Sequence, residues 1–179
     1  MVRASAVGLI LILSFFSSCS ENNNKPEDGA LTYFDIKGYF EQEATRLSQK
    51  NPLVYKEIIK NSEKEAQEIR INDWNKEFSF FIESDINKPA WTSSYSVKKN
   101  KDTIIYSALD PELRTKQIKL LKNANKLLFL SIKNEATNKL YTSKEELYYF
   151  PDSIYKLIKN QQVRIIGENH YQITVKFTE

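Results

Sequence analysis

Residues 170–178 read HYQITVKFT. Tyr171, Ile173, Val175 and Phe177 alternate with Gln172, Thr174, Lys176 and Thr178. Successive side chains on a strand point to opposite faces, so this period of two puts the apolar set on one face and the polar set on the other. One buried face and one wet face is the pattern of an antiparallel sheet. The same period recurs upstream, over 94–99, 103–109, 115–121, 126–134, 138–150 and 153–166. Polar turns separate these segments: Asn100-Lys101-Asp102, Asp110-Pro111-Glu112, Asn123-Ala124-Asn125, a break over 134–137, and Gly167-Glu168-Asn169. The run therefore reads as a seven-stranded meander. Segment 103–109, TIIYSAL, has apolar residues on both faces and is expected in the middle of the sheet.

The half before the meander mixes periods. Over 32–50, Tyr33, Ile36, Phe40 and Leu47 share one helical face with Ala44 close by. Thr32 and Asp35 form a weakened capping box. Asn51-Pro52 ends the helix, because the residue before proline is pushed out of helical space. Segments 53–60 and 64–71 read as a hairpin joined by Asn61-Ser62-Glu63, with Ile69 and Ile71 as the apolar contacts of a polar second strand. A second helix is expected over 73–84, capped by Asn72 or Asp73 and carrying Trp74, Phe78, Phe81 and Ile82. Residues 85–91 read as a loop. The expected fold is α+β: two N-terminal helices packed on a strongly curled antiparallel meander, half-barrel-like, with seven to nine strands.

Composition narrows the function classes. The chain has 179 residues, with 26 Lys plus Arg against 23 Asp plus Glu, a formal net charge of +3. Both signs are interspersed, and the balance argues for neither a nucleic-acid partner nor a polybasic membrane patch. The four glycines, Gly8, Gly29, Gly38 and Gly167, build no phosphate loop, no dinucleotide fingerprint and no nucleophile elbow.

The single cysteine, Cys19, decides the expected location. Arg3 is the only charge before Glu21, and the apolar run ASAVGLILILSFF covers 4–16. A basic start, an apolar run and then small residues is the layout of a secretory signal peptide, and the run is too short to span a bilayer. With Ser17 and Ser18 directly before Cys19, the stretch resembles a bacterial lipoprotein signal peptide, with Phe16 where that family usually carries Leu. The resemblance implies that Cys19 is lipidated and becomes the first residue after cleavage. It also implies anchoring in the cell envelope, at the outer membrane, with the lipid bilayer as partner. The implied organisation is a signal peptide over 1–18, the lipidated cysteine and a polar tether over 19–31, and one α+β domain over 32–179. The body also resembles the small helix-plus-antiparallel-sheet lipoproteins of Bacteroidota, through FIESDINKPAW over 81–91 and FPDS over 150–153. That resemblance implies no activity.

Catalytic constellations are scarce. His170 is the only histidine, and its parity places it on the wet face with Gln172. A serine triad would have to use it, and no serine has a recognisable setting. One histidine and a lipidated cysteine do not make a zinc set. Neither a metal nor an organic cofactor is expected. Glu83 with Asp85, and Asp110 with Glu112, are local acidic pairs that leave a carboxylate-pair hydrolase as one alternative. The aromatic residues carry the other two. Trp91, Tyr95, Tyr148, Tyr149, Phe150 and Tyr155 are candidate contacts for a protein, glycan or lipid ligand. Tyr148 and Phe150 share a face that Tyr149 does not. A non-enzymatic binding or scaffolding domain is the first expectation. A carrier holding an acyl chain between helix and sheet, similar to the lipoprotein carriers and receptors of outer-membrane sorting, is the second.

Overall fold

The computed structural model describes residues 31–124 and 126–178. The expected signal peptide, Cys19 and the tether as far as residue 30 lie outside the described residues. In chain order the elements are helix α1 (Ile36–Lys50), strands β1 (Leu53–Lys60) and β2 (Glu63–Arg70), one-turn helices α2 (Trp74–Glu77) and α3 (Ser79–Ile82), and a short 3₁₀ turn (Pro89–Trp91). Strands β3 (Tyr95–Asn100), β4 (Thr103–Ala108), β5 (Thr115–Asn123), β6 (Lys126–Thr137), β7 (Tyr141–Phe150), β8 (Ile154–Val163) and β9 (Gly167–Phe177) follow. They form one antiparallel sheet in the order β2-β1-β9-β8-β7-β6-β5-β4-β3. The architecture is α+β, an open nine-stranded sheet with a few short helices.

The meander from β3 to β9 is continuous, and the early hairpin joins it along β9, from Val54 opposite Phe177 to Lys60 opposite Tyr171. Both edges are unattractive for further pairing. Edge strand β2 reads EKEAQEIR and edge strand β3 reads YSVKKN, nearly all exposed. Charged edges of this kind block strand addition.

Helix α1 buries Ile36, Phe40, Ala44 and Leu47, one apolar stripe at helical spacing. Asp35, not Thr32, caps it: the carboxylate accepts from the Gly38 N–H at 2.7 Å. Gly38 permits this approach, because a Cβ there would stand 2.1 Å from Asp35 Oδ2. Asn51 closes the helix in the left-handed conformation at φ 45°, its N–H donating to the Leu47 carbonyl.

The second helix expected over 73–84 is instead two single turns broken at Phe78 (φ −89°, ψ 5°). Asp73 caps the first turn through Lys76 N–H. The break follows from packing. Phe78 is fully buried, with its ring 5.0 Å from Phe40, 5.4 Å from Trp74 and 5.5 Å from Tyr155. Tertiary contacts of that size outweigh the few tenths of a kcal/mol per residue of helix propensity.

Three other expectations shift. Segment 103–109, with its mid-sheet expectation, forms β4 one strand from the edge, and the lead into α1 covers it through Tyr33, whose ring meets Tyr106 at 5.4 Å. The hairpin between β1 and β2 turns on Asn61 and Ser62 alone, with Lys60 opposite Glu63 and Asn61 at φ 55°. The last hairpin turns on Arg164, Ile165 and Ile166, and β9 starts at Gly167. Gly167 has φ 93°, a conformation that glycine supplies at low cost. Two isoleucines at the tip look like strand in sequence but are left 92% and 78% exposed.

One face of the sheet carries the core. Across β6, β7, β8 and β9, Leu130, Tyr149, Tyr155 and Val175 stand in one row, and Ile132, Leu147, Leu157 and Ile173 in the next. The helices lie on this inner face. Phe40 meets Tyr149 at 5.0 Å, and Trp74 stacks on Phe177 at 5.8 Å with 8° between planes.

Candidate functional site

Because α2 and α3 are single turns, they roof only part of the inner face. A cleft of about 550 Å³ remains between them and β1, β2, β8 and β9. Ile69, Ile71, Phe80, Leu157 and Ile173 supply its apolar walls. A polar cluster sits at one side. Lys56 Nζ donates to both carboxylate oxygens of Glu77 at 2.8 and 2.7 Å, and the Tyr155 hydroxyl donates to Glu77 Oε1 at 2.7 Å. Lys56 comes from β1, Glu77 ends α2, and Tyr155 opens β8. The side chains of Lys56 and Glu77 are each only 16% exposed. Burial, reinforced by the Glu77 charge, pushes the Tyr155 hydroxyl far above its ordinary pKa, so it stays protonated and donating. The cluster ties the roof helix to the sheet beside the cleft.

Phe80 also lines a second, smaller cavity of about 250 Å³ on its far side. The register explains the change of character. The next inner-face row after Leu147 and Leu157 is Asn134, Glu145 and Lys159, and the one after that is Ala136, Ser143 and Gln161. Arg114 Nη2 stands 2.5 Å and Lys159 Nζ 3.0 Å from the Glu145 carboxylate. Burial alone would push the Glu145 carboxyl up. The hydrogen bond from Lys159 and the charges of Arg114 and Lys159 outweigh it and hold the group below its ordinary value of 4.5. A folded-state pKa below the unfolded one stabilises the fold above the unfolded value, and that stability is lost as pH falls through the folded value. Denaturant melts should therefore lose stability on going below about pH 4.5, the ordinary glutamate range. Glu145→Gln should flatten part of that acid-side slope. An unchanged slope would show that Glu145 does not carry it.

On the outer face, a depression of about 420 Å³ surrounds His170. The His170 Nδ1 lies 2.6 Å from Asn160 Oδ1, and its backbone N–H donates to Asn61 Oδ1 at 2.9 Å. The lone histidine thus braces two hairpins. Along its own strand the wet-face expectation fails at Thr174, which is 7% exposed.

The six aromatic candidates do not form one platform. Tyr95, Tyr149 and Tyr155 are core residues of the inner face, and Tyr155 alone of the six reaches the cleft. Burial pushes the Tyr95 hydroxyl up to about 12. Trp91 sits half-buried on the 3₁₀ turn with Lys88 Nζ 4.1 Å from its ring centroid. Tyr148 and Phe150 face outward, where Tyr148 donates to Glu146 and Phe150 packs on Phe129 at 4.7 Å.

One member of each acidic pair holds local structure. Asp85 accepts from Ile36 N–H at 3.2 Å and Asn87 N–H at 3.1 Å, holding the start of α1. Asp110 accepts from Glu112 N–H at 2.8 Å within its turn. Among the described residues, no group of three or more His, Cys, Asp or Glu is placed to hold a metal ion, and no helix is long and apolar enough to cross a membrane.

Lys56, Glu77, Arg114 and Glu145 lie outside the candidates expected from sequence. A signal existed for two of them. Lys56 falls between Val54 and Ile58, and Glu145 two residues before Leu147, so parity puts a charge on the core face in each case. Nothing local marks Glu77 or Arg114, whose partners are 21 and 31 residues away. Comparison with protein-family models, curated proteins and solved structures finds no match to this chain.

Proposed function

We propose that this chain is a lipid-anchored cell-envelope protein whose folded domain carries a hydrophobic or acylated ligand in the inner-face cleft. The observation that supports it is the cleft itself: about 550 Å³, with Ile69, Ile71, Leu157 and Ile173 as apolar walls, the hydrogen-bonded Lys56–Glu77–Tyr155 cluster at one side, and Arg70, Asn72, Asp73 and Lys76 also on its lining. Ligand pockets typically run from about 300 to 1,000 Å³ and combine apolar walls with a few placed polar groups. A long twisted sheet tends to curl, and in this reading the early helices fill the hollow of a strongly curled half-barrel. The direct test is titration of the purified protein with a fluorescent polyene fatty acid. Saturable emission enhancement that unlabelled fatty acid displaces is expected. Emission no greater than that of a protein-free control would remove the carrier role.

Anchoring rests on the lipoprotein-like stretch ending at Cys19 and is tested separately. Stable attachment takes more than one acyl chain, at about 0.8 kcal/mol per buried CH₂. Cys19→Ala should accumulate as uncleaved precursor and take up no labelled palmitate. Labelling of the variant equal to that of the parent would place the lipid elsewhere than residue 19.

A further inference from the structure

We infer that the tips of the β6–β7 and β8–β9 hairpins form a membrane contact, in which Leu140, Ile165 and Ile166 enter the apolar edge of a bilayer while Lys139 and Arg164 meet anionic lipid head groups. This assignment builds on the cell-envelope anchoring proposed above and gives the domain a second point of attachment.

Exposed apolar side chains scattered singly need no explanation, but here they are gathered. Among the described residues the four most exposed large apolar side chains are Ile165, Ile166, Leu140 and Leu109, at 92%, 78%, 69% and 64%. All four lie in turns at one end of the sheet, since Val163 pairs with both Tyr141 and Gly167, and Thr115 with Asn134. The β6–β7 and β8–β9 turns are also joined: the Arg164 N–H donates to the Leu140 carbonyl at 3.1 Å. Asn138 fixes the first of them, its Oδ1 accepting from the Leu140 and Tyr141 N–H groups at 2.8 and 3.0 Å. Gly167, in the left-handed region, closes the second. The backbone that presents the three apolar side chains is thus already hydrogen-bonded in place, which lowers the ordering cost of docking.

Charge decides which surface they suit. Residues 138–140 read NKL and 164–166 read RII, so each tip carries one cation and no acid. Among the described residues, neither Lys139 nor Arg164 forms an ion pair. Apolar tips flanked by unpaired cations match a bilayer interface: the acyl region takes the apolar side chains, and long basic side chains reach back to the phosphates. Two cations make no polybasic patch. The apolar side chains supply the contact, and the cations supply its preference for a negatively charged leaflet. Leu109 stands at the margin, because its turn carries Asp110 and Glu112. The anchoring reading supplies the surface, since a tether over 20–31 reaches at most about 40 Å when fully extended.

The test uses the purified full chain with Ile165→Cys carrying an environment-sensitive nitrobenzoxadiazole dye. It is mixed with phosphatidylcholine vesicles, with and without phosphatidylglycerol. The unsubstituted chain, taken through the same labelling, measures any dye on Cys19. Val97→Cys, on edge strand β3, reports a site away from the tips. Dye at position 165 should brighten and shift to the blue, a lipid-borne quencher should remove that emission, and the change should be larger with phosphatidylglycerol. Dye at position 97 should keep its aqueous emission. Dye at 165 that vesicles leave unchanged, or that responds no more than dye at 97, overturns the contact. An equal response to the two vesicle types overturns the role given to Lys139 and Arg164. Palmitate labelling of Cys19 reads the anchor separately, so the tip contact and the anchor fail independently.

Discussion

Glu77→Ala should cost about 3 kcal/mol of folding stability, the range for breaking a buried ion pair on one side. The variant leaves the Lys56 ammonium, 16% exposed, without its carboxylate partner, and strands the Tyr155 hydroxyl in the core. For a domain of this size each kcal/mol moves Tm by about 2–4 °C, so a fall near 10 °C is expected. The double variant Lys56→Met with Glu77→Leu should recover most of it, since an apolar pair of similar size removes the unpaired charge. Thermal melts of the two variants decide the matter. A Glu77→Ala melt matching the parent would mean that the cluster does not hold the roof helix.

Ile173→Trp should cut ligand affinity by at least tenfold while leaving the melt within a few degrees of the parent. Ile173 is half-buried and lies in the cleft wall opposite α2 and α3. The larger side chain fills space that is empty in the parent instead of overpacking a closed core, so the cost usual for inserting methylenes, about 1–3 kcal/mol, should be largely avoided. The loss should appear in the titration with the polyene fatty acid. Undiminished affinity would put the ligand outside the cleft.

These two variants sit where the sequence was least legible. The meander, the early hairpin and α1 follow from residue patterning alone, because each buries one face against a single core and the hydrophobic period reports that face. The cleft does not follow in this way. It exists because Phe78 breaks a helix that periodicity alone would continue through residue 84, and that break is set by rings of Phe40, Trp74 and Tyr155 distant in sequence. Of the six candidate aromatic residues, three, Tyr95, Tyr149 and Tyr155, are core. The apolar lining of the cleft is Ile69, Ile71, Leu157 and Ile173 with Phe80, Phe81 and Tyr155, and of its charged residues Lys56 alone shows in the sequence, as a parity fault. The turn before Gly167 falls on 164–166 for a related reason: Ile165 and Ile166 have strand propensity, but the left-handed glycine sets where the chain reverses.

The central claim is that the inner-face cleft holds an apolar chain. Solvent extraction of the purified protein, followed by mass spectrometry of the released molecules, tests it directly, because lipid bonded to Cys19 stays with the protein while a carried ligand is released. The predicted result is close to one acyl-chain molecule released per wild-type protein and almost none from Ile173→Trp. Equal release from both proteins, or no release from wild type together with no uptake of added fatty acid, would contradict it.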